Sequence, residues 1–148
     1  MNVVSSQRSV VGKIMCSIAL CALLFALSVR AEAQQTGKIP RIGFLVAGTA
    51  SAVSARVEAF RQGLRERGYV EGKNIVVEYR YGDDKVDRLS EQAAELVRLK
   101  VNVIVSAGSQ ATRPAKEATT TIPIIMAQDN DPVGSGFIAS LAKPGGNI

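Results

Sequence analysis

Hydrophobic and polar positions along this chain follow two different periods, and the switches between them lay out its elements. Arg41-Ile42-Gly43-Phe44-Leu45-Val46 is apolar at almost every position, the pattern of a strand buried on both faces. Val53, Val57, Phe60 and Leu64 then recur at helical spacing, with Arg56, Glu58, Arg61, Arg65 and Glu66 between them. That spacing predicts an amphipathic helix. Ser51 or Ser54 is placed to cap its start, and Gly68 to take the left-handed conformation that ends it. From Asn74 to Tyr81 the period falls to two: Val77, Tyr79 and Tyr81 face one way, Val76, Glu78 and Arg80 the other. Such a strand is partly wet and belongs near a sheet edge.

A second helix is expected over residues 83–100, with Val86, Leu89, Ala93, Leu96 and Val97 as its stripe and Asp83 or Asp84 as its cap. Val101 to Ser106 returns to a continuous apolar run. Residues 109–119 read as a third helix, although Pro114 suits a first turn better than an interior. Ile122 to Ala127 is a fourth strand with Pro123 near its start, and the apolar stretch from Gly136 to Leu141 reads as a short last helix. Strands alternating with helices predict an α/β fold: three layers, a parallel sheet with helices on both faces. The first and third strands are apolar on both faces and belong inside the sheet. With 74–81 at an edge, the expected order is 2-1-3-4.

Ligands of such sheets bind beyond the carboxyl ends of the strands. Two of those ends, Gly48-Thr49 and Gly108-Ser109-Gln110, place amides and hydroxyls at helix N-termini, where unpaired donors and the helix dipole favour carboxylates. A third carries Asp131, stiffened by Pro132, which can offer a fixed negative charge to a ligand amine. Each residue also has a local use: Ser109 as a cap, Thr49 in a turn, Asp131 in an Asx-turn. Gly48, Thr49, Gly108, Ser109, Gln110 and Asp131 are the candidate ligand-binding residues.

The first residues have a different character. Arg8 and Lys13 precede an apolar run from Ile14 to Val29, followed by Ala31-Glu32-Ala33. This is the order of a secretory signal peptide, residues 1–33, cut between Ala33 and Gln34. The run is shorter than the ~20 residues of a spanning helix, so residues 34–148 are expected in the periplasm as one α/β domain. Both cysteines, Cys16 and Cys21, lie in the leader, and the chain has no histidine. That removes Ser-His-Asp triads, Cys-His pairs and soft metal sites from the exported part. After the first strand only Gly48 remains of a dinucleotide fingerprint, and no cofactor is expected. The net charge of +5 is interspersed, without the basic patch and aromatics of a nucleic-acid footprint.

Three segments, IPRIGFLVAGT, FRQGLRERGYVEGKNIVVEYRYG and IPIIMAQDNDPVGSGFIASLAKPGGNI, resemble the periplasmic substrate-binding proteins of ABC transporters. The group resembled has members that bind aromatic amino acids. The resemblance implies two α/β lobes of the type I periplasmic-binding-protein kind, a small-molecule solute held between them, and an ABC permease in the inner membrane as partner. In the family, Pro-Gly-Gly-Asn leads through one more strand toward the second lobe. The chain is therefore expected to comprise a leader and the first lobe, with the second lobe absent. A ligand-sensing module of a signalling receptor and an exported α/β enzyme are the alternatives.

Overall fold

A computed structural model describes residues 38–148, so the expected leader lies outside the described residues. Four strands, β1 (Arg41–Val46), β2 (Val76–Tyr81), β3 (Val103–Ala107) and β4 (Ile124–Gln128), alternate with three helices, α1 (Ser54–Glu66), α2 (Val86–Arg98) and α3 (Ser109–Ala118). The strands form one sheet in the order β2-β1-β3-β4, as the pattern of apolar positions predicts. All pairings are parallel, with Phe44 opposite Tyr79 on one side and Val105 on the other.

Alternation along the strands splits the core in two. Phe44, Val46, Val77, Val105 and Ala107 meet Val53, Val57, Phe60 and Leu64 of the first helix and its approach. Leu45, Ile104 and Ile124 meet Leu89, Ala93 and Leu96 of α2 and Ala111 and Ala115 of α3. Leu45, Ile104 and Leu96 are fully buried, each worth about 1.5–3 kcal/mol over an exposed side chain. Helix α2 lies so close to β1 that a Cβ on Gly43 would approach a Leu96 methyl to 2.8 Å.

β2 occupies the edge, yet its polar face is not simply wet. Arg80 donates two hydrogen bonds to the Glu95 carboxylate of α2, at 3.0 and 3.1 Å, and Glu78 joins it at 3.5 Å. On the other face the Tyr79 ring packs 5.8 Å from Phe44.

Several local expectations give way. Neither Ser51 nor Ser54 caps α1 through its side chain; the N-cap residue is Val53, because a turn at Thr49 winds straight into the helix. There the Thr49 carbonyl accepts from the Val53 amide at 3.2 Å, and its hydroxyl from Ala52 at 3.3 Å. Gly68, as expected, takes positive φ beyond the helix end. Asp83 and Asp84 do not cap α2, which starts after Lys85. Both are left-handed, at φ +48° and +60°, and the Asp84 amide donates to the Ala47 carbonyl at 2.8 Å. Pro114 stands inside α3. The carbonyl its missing amide frees is that of Gln110, on the exposed first turn, where water can satisfy it.

No helix forms over 136–141. Gly136 turns left-handed at φ +71°, and Lys116 of α3 donates to the Gly136 and Phe137 carbonyls at 2.8 and 3.0 Å. Phe137 and Ile138 are buried against this end of α3, while Leu141 is exposed. The Asn147 amide group is held by the Thr119 and Ile122 carbonyls, and its own carbonyl accepts from the Ile124 amide at 2.7 Å, beside β4.

Candidate functional site

The carboxyl ends of β1, β3 and β4 open into a cleft of about 460 Å³, within the ~300–1,000 Å³ usual for small-molecule sites. Its floor is the rim of the sheet, Val46-Ala47-Gly48 and Ala107-Gly108. One wall is the first turn of α3, with Ser109 and Gln110. Another is the end of β4 and the segment after it, Gln128 to Asn130, and Arg56 and Asp84 also line the cleft.

Gly108 makes the α3 wall possible. Its φ of +95° and ψ of 157° lie in a region essentially reserved for glycine. That geometry lets the Gly108 amide donate to the Gln128 carbonyl at 2.9 Å while its carbonyl accepts from Ala111 and Thr112. The first-turn amides of Ser109 and Gln110, which helix geometry leaves without an intrahelical acceptor, therefore sit at the cleft. Beneath them a buried pair ties strand to helix: the Ser106 and Thr112 hydroxyls are 2.8 Å apart, and Thr112 also donates to the Gly108 carbonyl at 3.1 Å.

The β4 side is set by a bulge. Ser106 pairs with Met126 but Ala107 pairs with Gln128, so Ala127 has no opposite number, and the next side chain, Asp129, reaches α3. Its carboxylate accepts from the Ser109 hydroxyl at 2.9 Å and, through its other oxygen, from the Asp131 amide at 3.1 Å. Asp131 in turn accepts from the Gly134 amide at 2.8 Å.

Of the candidate residues, Gly48, Gly108, Ser109 and Gln110 line the cleft together. Thr49 and Asp131 are not among its lining residues; each holds a turn beside it, Thr49 also meeting the Ser51 hydroxyl at 3.1 Å. Sequence reasoning did not place Asp129, Asp84 or Arg56 among the ligand-binding residues. The signal for Asp129 was its place directly after β4, masked by a bulge no pattern announces. Asp84 was read as a cap and Arg56 as a solvated helix position. Two carboxylates, a hydroxyl, free helix-terminal amides and one guanidinium suit binding of a small polar solute by charge and hydrogen bonding.

Comparison with known proteins agrees with this architecture. Residues 42–148 match the family model for ABC transporter substrate binding proteins. A tyrosine-binding protein from Clostridioides difficile (strain R20291) is 33% identical over 91 residues, which is 62% of this chain and 26% of the relative. Among solved structures, a substrate binding protein with adhesive properties from Clostridium difficile, ligand-free and open, superposes with a TM-score of 0.69. It is 25% identical, with 74% of this chain and 37% of that one covered. The ABC domain from Streptococcus pneumonia in complex with L-Trp gives 0.70 at 24% identity, covering 75% and 37%. The chain thus spans about a quarter of the curated relative and under two fifths of these solved proteins. Its sheet, its helices and nearly all of its described residues fall within the matched region, and the chain belongs to the family of ABC transporter substrate-binding proteins.

Proposed function

We propose that residues 34–148 form the first lobe of an exported solute receptor. Its cleft takes one side of a small amino-acid-like solute, which the receptor delivers to an inner-membrane ABC permease. The observation that carries this reading is the α3 N-terminus. Gly108 turns two free amides toward a cleft, where the helix dipole favours a carboxylate. A tyrosine-binding relative and an L-Trp-bound neighbour support amino acids as the solute class. Gly48, Thr49, Gly108, Ser109, Gln110 and Asp131 form the rim in this reading. Gly48 and the α3 turn meet the solute, and Thr49 and Asp131 hold the turns on either side.

The test is a titration of the full chain with L-tyrosine and L-tryptophan, followed by amide chemical shifts. Gly48 and Gly108 to Gln110 are expected to shift together and saturably. Ser109→Ala removes the hydroxyl that ties Asp129 to the α3 turn and should weaken binding indirectly, by ~1 kcal/mol or less, as should Asp131→Ala through its own turn. Shifts absent at these amides, or scattered over the surface, overturn the reading.

A further inference from the structure

Two exposed charged side chains of the cleft, Arg56 and Asp84, have no assigned role. Arg56 is the third residue of α1, whose first turn holds no acidic residue. A cation there opposes the positive end of the helix dipole. Among the described residues Arg56 makes no ion pair, unlike Arg61, Arg65, Arg80 and Arg88. Asp84 is the second of two consecutive left-handed aspartates, a conformation aspartate adopts more readily than most residues with a Cβ. Its neighbour Asp83 is neutralised by Arg88, whereas the Asp84 carboxylate has no ion-pair partner among the described residues.

The loop that carries Asp84 is nevertheless fixed. The Gly82 amide donates to Val46 and the Asp84 amide to Ala47, both at 2.8 Å, and the Lys85 amide returns to Gly82 at 3.0 Å. A Cβ at Gly82 would lie 2.6 Å from Leu89 and 2.9 Å from the Ala47 carbonyl, so only glycine lets the loop press this closely on β1. The loop thus fixes Asp84 at a set place, and that place lines the same cleft as the unpaired Arg56. Local choices that oppose stability are expected where a site, not the fold, dictates the residue.

We propose that Asp84 and Arg56 read the two charges of a zwitterionic solute, Asp84 taking the ammonium and Arg56, with the α3 amides, the carboxylate. This rests on the amino-acid reading of the cleft and adds the residues that enforce it. Asp129 is less suited to the ammonium, because both its oxygens already accept hydrogen bonds. Free opposite charges on separate elements select for a solute that carries both, since a solute lacking one charge forgoes the attraction of that partner.

Three probes with one ring separate these roles: L-tyrosine, tyramine without the carboxylate, and 3-(4-hydroxyphenyl)propionate without the ammonium. Each is titrated into the full chain and into Asp84→Asn and Arg56→Gln, with affinities taken from amide shifts. Asparagine tolerates the left-handed region, and glutamine matches arginine in helix propensity, so both variants keep the fold, which their spectra verify. The wild type should prefer L-tyrosine at least ~10-fold over either analogue, equivalent to ~1.4 kcal/mol. Asp84→Asn should lose its preference over the propionate alone, and Arg56→Gln its preference over tyramine alone. Preferences unchanged in both variants overturn the assignment while leaving amino-acid binding intact. If L-tyrosine moves no cleft amide even in the wild type, the functional reading itself fails and this one with it.

Discussion

Thr112→Val and Ser106→Ala remove the two hydroxyls that join β3 to α3, and the geometry predicts unequal, non-additive costs. Thr112 has one hydroxyl proton and gives it to the Gly108 carbonyl, so in the Ser106–Thr112 contact Ser106 is the donor. Both residues are fully buried. Ser106→Ala therefore deletes one hydrogen bond and strands nothing, because Thr112 keeps its acceptor; the expected cost is ~1 kcal/mol. Thr112→Val preserves shape but leaves the Ser106 hydroxyl buried without an acceptor. A stranded group costs ~1–3 kcal/mol beyond the bond, giving about 2–4 kcal/mol. The Gly108 carbonyl is not stranded, since the Ala111 and Thr112 amides still reach it. In the double variant both hydroxyls are gone and no group is left wanting, so its cost should return to about 1–2 kcal/mol, below Thr112→Val alone. Urea denaturation measures all four chains, with midpoints shifting at constant slope. A double variant as unstable as the two single losses added together would refute the donor assignment and the network with it.

Gly43→Ala should destabilise by about 1–3 kcal/mol, because its Cβ would press on Leu96, which is fully buried and cannot swing aside; adding Leu96→Val should recover part of that loss in thermal melts, and an unaffected Gly43→Ala would show that the α2–β1 contact is looser than described. Tyr79 is held above the ordinary tyrosine value of ~10, chiefly by burial, against the pull of the Arg61 hydrogen bond. The unfolded chain then releases this proton first, so the contribution is intact below pH ~10 and declines as pH rises through the folded value. In absorbance titrations the tyrosinate component missing from Tyr79→Phe should appear last, and a component at or below the ordinary value would contradict the desolvation argument.

The fold was legible because its signal is periodic. Unbroken apolar runs at β1 and β3 and an alternating one at β2 fix which strands lie inside, and hence the order, without any long-range information. What could not be read depends on contacts between segments distant in sequence. The apolar stretch 136–141 has helical composition, but Lys116, some twenty residues earlier, holds its carbonyls. Asp83 and Asp84 look like caps until the Ala47 carbonyl is seen to hold the backbone elsewhere. The site divides the same way. Gly48 and the Gly108-Ser109-Gln110 turn follow directly from strand-to-helix junctions, a local rule. Arg56, Asp84 and Asp129 join them only because loops after three different strands converge.

The unpaired Ala127 also makes the electrical character of the rim a matter of counting rather than of composition. Along β4 each step of one residue turns the side chains to the other face, and the extra residue is what presents the Asp129 carboxylate to Ser109. Deleting Gln128, with Ala127 still bulged, would set Asp129 opposite Ala107 and bring Asn130 to that place, exchanging an anion for a neutral amide. Ile124 and the strands beneath would keep their positions. A lineage could thus alter the charge of this rim by losing a single codon at this spot, without a substitution in either core.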